Sequence, residues 1–156
     1  MKRAIYFIFI VLLVGVDQLT KYLVLINLKY KNAATVIDGI LQFRYAENTG
    51  AAFSMLSGNQ LFLLIFTAIL IIGIIIFLML DKAENKIQQV SLILIVAGGI
   101  GNLIDRLYRG FVIDFIELTF IDYAVFNFAD ILVTIGAVFL ILSVILKVKK
   151  EESHEK

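Results

Sequence analysis

The sequence predicts an all-α membrane protein with four transmembrane helices, both termini on the cytoplasmic side, and a small β-sheet on the outer face. Of its 156 residues, 61% are hydrophobic and 17% are charged, whereas soluble domains average about 45–50% apolar and about 25% charged residues. The excess apolar surface must therefore face lipid. The sequence shows no linker and no internal repeat, so we expect one integral membrane domain over residues 1–156.

Four apolar runs have the length of about 20 residues that a helix needs to cross a bilayer. They cover residues 4–26, 61–80, 87–106 and 128–146. The first run starts like a cleaved signal peptide, but it is interrupted by Asp17 and Lys21 and then resumes, so we interpret it as a retained span. The second run contains no charge, and the fourth has Asp130 one turn inside its start.

The lysines and arginines determine the predicted orientation. With the N-terminus, the loop 81–86 and the charged tail 147–156 inside, eight of the fourteen basic residues are cytoplasmic. Four others lie in the outer segments 27–60 and 107–127, and the remaining two lie in or at the membrane. This imbalance favours cytoplasmic termini by the positive-inside rule.

Both outer segments contain the period-2 pattern of half-buried strands. Apolar and polar residues alternate over 41–45, and Phe111, Ile113 and Phe115 alternate in the same way. We therefore expect a small sheet at the outer surface of the membrane. Six aromatic residues of the second segment would form an interfacial belt, namely Tyr108, Phe111, Phe115, Phe120, Tyr123 and Phe126.

The scarcity of cysteine and histidine excludes several kinds of chemistry. The chain has no cysteine, and its one histidine, His154, lies in the charged tail. A disulfide framework, a thiolate nucleophile and a zinc site built from Cys or His are therefore excluded, and we expect no metal and no cofactor. The formal net charge is +1 and no basic stripe is present, so we expect no nucleic-acid partner.

Ionisable residues gather near the predicted outer boundary, although a charge inside a span costs about 2.5–3.5 kcal/mol. Asp17 and Lys21 are one helical turn apart and are expected to pair. Asp105 is followed by Arg106, and Asn102 shares the helix face of Asp105. We expect Asp105 either to form an ion pair that closes the outer end of the third span or to act directly in a site.

Asp114 and Asp130 have different surroundings in the sequence. Asn127 is a good N-cap for the fourth span, and it places Asp130 at the third helical position, where the helix dipole favours a carboxylate. Asp114 lies in an apolar stretch, so it needs a raised pKa or a partner elsewhere in the fold. If the two meet, they can share one proton and hydrolyse a peptide without a metal. The spacing permits a pair of Asp105 and Asp130 equally well.

Five segments resemble, in order, the motifs of bacterial lipoprotein signal peptidase, or signal peptidase II. They are Asp17–Lys21, Asn48–Phe53, Gly101–Arg106, Val112–Phe115 and Phe126–Asp130. The resemblance implies an aspartic intramembrane endopeptidase whose catalytic pair is Asp114 and Asp130. It assigns supporting and substrate-binding positions to Asp17, Lys21, Asn48, Gly50, Asn102, Asp105, Arg106 and Asn127.

The same resemblance implies a substrate and a location. The substrate is a prolipoprotein carrying a diacylglyceryl-modified cysteine, and cleavage falls on the amino side of that cysteine. The enzyme is expected to be a multi-pass protein of the bacterial cytoplasmic membrane, with its active site near the outer face. Its expected partners are this substrate and membrane lipids, and we expect the chain to function as a monomer.

Three other functions are open from the residues alone. A small proton- or ion-coupled transporter also places acidic residues in its spans, but the inverted repeats or interrupted helices of such proteins are not visible. In a non-enzymatic membrane assembly subunit all of the charges would be paired structurally. Such a function gives no reason for an unpaired Asp114. A serine–lysine protease needs a serine near Lys21, and Ser54 in the first outer segment is the candidate.

Overall fold

The computed structural model describes residues 2–31, 33–50 and 59–154. It contains four helices and three strands, in the order α1 (Lys2–Leu28), β1 (Ala34–Ile37), β2 (Leu41–Asn48), α2 (Gln60–Met79), α3 (Lys86–Arg109), β3 (Val112–Leu118) and α4 (Phe128–His154). The protein is therefore mostly helical with one small sheet, as the sequence predicted.

All four helices are long and apolar enough to cross a membrane. Most of their large apolar side chains point away from the protein, for example Leu61 and Ile69 of α2, which is the arrangement expected when lipid is the solvent. Helix α4 continues to His154 without a break. The charged segment after residue 146 thus extends α4, at least to His154, instead of starting a separate tail.

Helix α3 is the centre of the bundle and packs against α1, α2 and α4. Glycines allow two of these contacts to be close. A Cβ atom at Gly98 would collide with the backbone oxygen of Ala129, and a Cβ atom at Gly101 would collide with the carboxylate of Asp17. Small residues at helix contacts are typical of membrane bundles, because they let backbones approach. Gly101 thereby brings the carboxylate of Asp17 against α3.

The three strands form an antiparallel sheet in the order β1-β2-β3. In the β2–β3 pair Leu41 lies opposite Leu118 and Asn48 lies opposite Val112, with a register shift between Phe43 and Ala46. The sheet sits where α1 and α3 end, and it packs on both helices.

The predicted half-buried alternation is wrong for the start of β3, where residues 112–115 are all buried. One side of the strand packs with Val24 of α1 in an apolar cluster that contains Ile113 and Phe115, and the other side carries Asp114 into a polar network. Phe115 therefore lies in the core and not in the aromatic belt. Tyr108 and Phe120 of the predicted belt are exposed.

Candidate active site

The N-terminus of α4 holds Asp130 in a defined position. The side-chain Oδ1 of Asn127 accepts a hydrogen bond from the backbone N–H of Asp130 at 3.0 Å, and Asp130 Oδ2 accepts one from the backbone N–H of Asn127 at 3.0 Å. This reciprocal pair is a capping box, and it confirms the predicted cap. The second oxygen of Asp130, Oδ1, accepts a hydrogen bond from Asn102 Nδ2 of α3 at 2.8 Å.

Asp114 projects from β3 into the same network. Its Oδ1 accepts a hydrogen bond from Asn127 Nδ2 at 2.6 Å, and its Oδ2 accepts one from Asn48 Nδ2 of β2 at 3.0 Å. The side chain is buried. Burial, and then the charge of Asp130, raise the pKa of the Asp114 carboxyl from 3.8 to about 6. Asn127 thus contacts both aspartates. Its side chain binds Asp114, and its side chain and backbone both bind Asp130.

Asp114 and Asp130 line one cavity of about 340 Å³. Its walls come from α2, α3, α4, the ends of β2 and β3, and residues 123–126. The structure therefore brings two of the predicted site residues together with three others, Asn48, Asn102 and Arg106.

Three hydroxyl-bearing residues that line this cavity were not among the predicted site residues, namely Thr67, Tyr123 and Thr134. Tyr123 was assigned to the aromatic belt. Thr67 carried a usable signal, because it is the only polar side chain in the second apolar run, whereas Thr134 had none.

Lys21 lies behind the cavity at the centre of a buried charge cluster. Its Nζ is 2.9 Å from Asp17 Oδ2, 3.0 Å from Asp105 Oδ2 and 2.8 Å from Asn102 Oδ1. The side chains of Lys21, Asp17 and Asp105 are fully buried. The predicted pairing of Asp17 with Lys21 is confirmed. Asp17 also accepts the backbone N–H of Ala129 at 3.0 Å, which links α1 to the start of α4.

Asp105 forms the expected ion pair at the C-terminal end of α3, but its partners are Arg109 and Lys21 and not its neighbour Arg106. Asp105 Oδ1 is paired with Arg109 Nη1 at 2.6 Å. Asp105 Oδ2 is paired with Lys21 and also accepts a hydrogen bond from the backbone N–H of Ile113. Adjacent helical residues point in different directions, while residues four apart share a face, so Arg109 is the helical partner. Asp105 does not line the cavity, and the alternative pair of Asp105 with Asp130 is not formed there.

Arg106 points into the cavity and contacts the first outer segment. Its Nη2 donates to the backbone oxygen of Gly50 at 2.8 Å, and the Gly50 N–H donates to Asn48 Oδ1 at 2.9 Å. Residues 51–58, which include the rest of that predicted motif and Ser54, lie outside the described residues. Over the described ranges, no group of three or more Asp, Glu, His or Cys side chains is placed to hold a metal ion.

Comparisons with known proteins agree on one family. The model of the signal peptidase (SPase) II family matches residues 9–146. The lipoprotein signal peptidase of Streptococcus thermophilus is 39% identical over 155 residues, which cover 99% of both chains. That of Streptococcus pyogenes is 39% identical over 142 residues, which cover 91% of this chain and 93% of the relative.

A solved structure described as a bacterial membrane enzyme superposes with a TM-score of 0.87 at 34% identity, covering 98% of this chain and 92% of that one. A second such structure gives a TM-score of 0.81 at 35% identity, covering 90% of this chain and 92% of that one. The fold is thus shared over nearly the whole chain. The chain belongs to the signal peptidase II family.

Proposed function

We propose that Asp114 and Asp130 are the catalytic pair with which this multi-pass membrane peptidase removes signal peptides from lipoproteins. One observation carries the proposal. Both carboxyl groups line one cavity, and Asn127 donates hydrogen bonds to both of them. The other carboxylates of the buried cluster, Asp17 and Asp105, are paired with Lys21 outside that cavity. The proposed enzyme is therefore an aspartic peptidase.

The charges of the buried cluster support a pair that shares one proton. Three cations, Lys21, Arg106 and Arg109, face four carboxyl groups, Asp17, Asp105, Asp114 and Asp130. These seven groups together are neutral when one carboxyl group is protonated, and excess charge is disfavoured where groups are buried or half-buried. The raised pKa of Asp114 supports it as the member of the pair that holds the shared proton.

The two aspartates then divide the work of hydrolysis. Ionised Asp130 takes a proton from a water molecule, and the resulting hydroxide attacks the carbonyl carbon of the scissile peptide bond. Protonated Asp114 donates its proton to the carbonyl oxygen, which gives a tetrahedral gem-diol. Asp130, which now holds the proton taken from water, donates it to the leaving nitrogen as the C–N bond breaks, while Asp114 recovers a proton from the gem-diol. The Arg106 side chain lines the cavity, and its buried Nε–H has no acceptor among the described residues, so a shift of this side chain would let the Nε–H donate to a backbone carbonyl of the substrate.

A second groove supports a lipid-modified substrate that is cut on the amino side of a diacylglyceryl-modified cysteine. This groove of about 330 Å³ shares Asp130 with the catalytic cavity and is otherwise mostly apolar; it is lined by Leu118, Ile121, Tyr123, Phe126, Ile131, Thr134 and Ile135. Ile121 and Ile135 are exposed, so the groove is open to the surroundings of the bundle. An acyl chain can lie in the groove while the peptide bond reaches Asp130.

The position and assembly of the site complete the proposal. The positive-inside rule puts the sheet end of the bundle, and hence the site, at the outer face of the bacterial cytoplasmic membrane. All of the residues proposed for the site belong to one chain, so we propose that a monomer is sufficient.

The experiment compares Asp114→Asn and Asp130→Asn with wild type for accumulation in membranes and for cleavage of a lipidated prolipoprotein reporter. We expect normal accumulation and loss of cleavage in both variants, with wild-type activity surviving metal chelators. Full cleavage by either variant would falsify the pair. Loss of wild-type activity on chelation, restored by one metal, would contradict the two-carboxylate mechanism.

The groove is tested by Ile135→Trp, which fills it, with Ile141→Trp as the control because Ile141 is exposed on the same helix and does not line the groove. We expect a higher KM for the lipidated reporter in the first variant alone. An equal KM in both would place the acyl chain elsewhere and leave the catalytic pair unaffected.

A further inference from the structure

The ammonium group of Lys21 is fully used by its neighbours. An ammonium has three N–H donors and no acceptor, and Lys21 has three acceptors at hydrogen-bonding distance: Asp17 Oδ2, Asp105 Oδ2 and Asn102 Oδ1. Two of these are carboxylates that balance its charge. The third is a neutral amide oxygen, and Asn102 is the residue that lies between Lys21 and the catalytic cavity.

The contact with Lys21 decides which way the Asn102 amide points. Because the ammonium can only donate, it requires the oxygen of the amide to face it, and this oxygen also accepts Asn127 Nδ2 at 3.1 Å. The nitrogen of the amide is therefore turned to the opposite side, where it donates to Asp130 Oδ1 at 2.8 Å. A rotated amide would place its NH2 group against the ammonium, so that two donors face each other, and its oxygen against the carboxylate of Asp130.

The other two asparagines of the site follow the same rule. Asn127 Oδ1 accepts the backbone N–H of Asp130, and Asn48 Oδ1 accepts the backbone N–H of Gly50. Each of these obligate donors turns the amide nitrogen toward Asp114. In two cases the orienting donor is the backbone, whereas for Asn102 it is supplied by the side chain of Lys21.

We infer that Lys21 is a positioning residue of the catalytic pair, which acts by orienting Asn102 so that Asp130 meets an N–H donor and not a carbonyl oxygen. The inference rests on the proposed function of Asp114 and Asp130. Without the ammonium, the Asn102 oxygen keeps one described donor, Asn127 Nδ2 at 3.1 Å, and the Asn127 amide also donates to Asp114, so the Asn102 amide can turn its oxygen toward Asp130. Two facing oxygens need a hydrogen between them, so the pair would take up its second proton at a higher pH.

Other charged groups also face Asp130 and must be separated from this effect. They are Asp114 on β3, Arg106 on α3 and, beyond Asn102, Lys21 with Asp17 on α1 and Asp105 on α3. Tyr123 is the phenol that lines the same cavity. Removing Lys21 alone changes both the amide orientation and the net charge of this set.

The test therefore uses Lys21→Met together with the charge-balanced double variant Lys21→Met/Asp17→Asn. Purified enzyme is assayed for kcat/KM on the lipidated reporter as a function of pH. We expect the acid limb of the profile to move up by about one to two pH units in both, since hydrogen bonds to charged groups have about that value. Lys147→Met, which removes a lysine ion pair at the other end of the bundle, is expected to keep the wild-type profile.

A double-mutant cycle with Asn102→Ala shows whether Lys21 acts through Asn102. We expect Lys21→Met to cause no further shift once Asn102 is replaced. Additive shifts, or a wild-type profile in the charge-balanced variant, would show an effect of charge at a distance and overturn the inference. Failure of both lysine variants to accumulate would assign Lys21 to the fold alone and overturn it as well. Activity in Asp114→Asn or Asp130→Asn is the separate result that rejects the proposed function.

Discussion

The two ends of the helical bundle are closed in different ways. At the sheet end, Asp17, Lys21, Asp105, Asp114 and Asn127 are buried together. At the opposite end the core is an apolar cluster of Tyr6, Leu78, Leu92 and Ile93, and buried Ser143 accepts a hydrogen bond from the exposed side chain of Asn85 at 2.9 Å. Both ends join α1 to α3. Because the opposite end does so with an apolar cluster, apolar packing is sufficient to hold these two helices together.

This difference indicates that the charges at the sheet end have a purpose besides holding helices together. Burying an ion pair costs desolvation energy that its mutual attraction often does not exceed. In lipid, where apolar surfaces gain little from meeting each other, close packing and hydrogen bonds hold helices together. The sheet end therefore has an arrangement that is costly to bury, and we attribute it to the chemistry proposed for Asp114 and Asp130.

The largest expected effect on stability comes from breaking the buried cluster at Asp105. Asp105→Asn leaves Lys21 and Arg109 without one of their anionic partners. We expect a loss of about 3–5 kcal/mol in the free energy of unfolding, because a buried charge loses its partner. Thermal unfolding of the detergent-solubilised enzyme measures this. Abolished cleavage with unchanged stability would instead give Asp105 a direct role.

A smaller effect is expected from closing the space between α1 and α3. In Gly101→Ala the new methyl group meets the Asp17 carboxylate, and we expect a loss of about 1–3 kcal/mol from overpacking. Gly73→Ala is the control, because a Cβ atom at Gly73 has no atom within 4 Å. Equal melting temperatures for the two variants would show that the contact at Gly101 can relax.

The smallest effect is expected at the opposite end, from the ion pair of Lys147 with Glu84. Both side chains are about half exposed, at 48% and 53%, and exposed pairs contribute about 0–1 kcal/mol. Lys147→Met should therefore change the melting temperature little. A loss as large as that of Asp105→Asn would contradict the distinction between the two ends.

The sequence was sufficient for features that depend on residues close in the chain. Apolar runs predicted the four helices, and a spacing of three or four residues predicted the Asn127–Asp130 cap and the Asp17–Lys21 pair. The ion pair of Asp105 was also predicted, but its helical partner is Arg109, four residues on and on the same helix face, and not the adjacent Arg106.

Features that depend on distant segments could not be derived from the residues. The contact of Asp114 with Asn48 joins residues 66 positions apart, and the contact of Lys21 with Asn102 joins residues 81 positions apart. Full burial at the start of β3 likewise requires α1 and the polar network on its two sides. Spacing left Asp105 and Asp114 as equal partners for Asp130, and the family resemblance favoured Asp114.

We propose that Asp114 is present for catalysis at the expense of the stability of the folded protein. Its pKa is higher in the folded protein, about 6, than the ordinary 3.8, so the folded state binds this proton more tightly. The stabilisation is complete below pH 3.8 and is lost as the pH rises through about 6.

The most direct test measures stability and cleavage together for wild type and Asp114→Asn between pH 3.5 and 8, a range chosen to span about two units beyond the pKa of about 6. We predict no cleavage by the variant at any pH, and no fall in its stability over the pH window in which wild type loses stability. A variant that keeps cleaving would contradict a catalytic role for Asp114. So would a variant whose loss of activity matches an equal loss of folded protein.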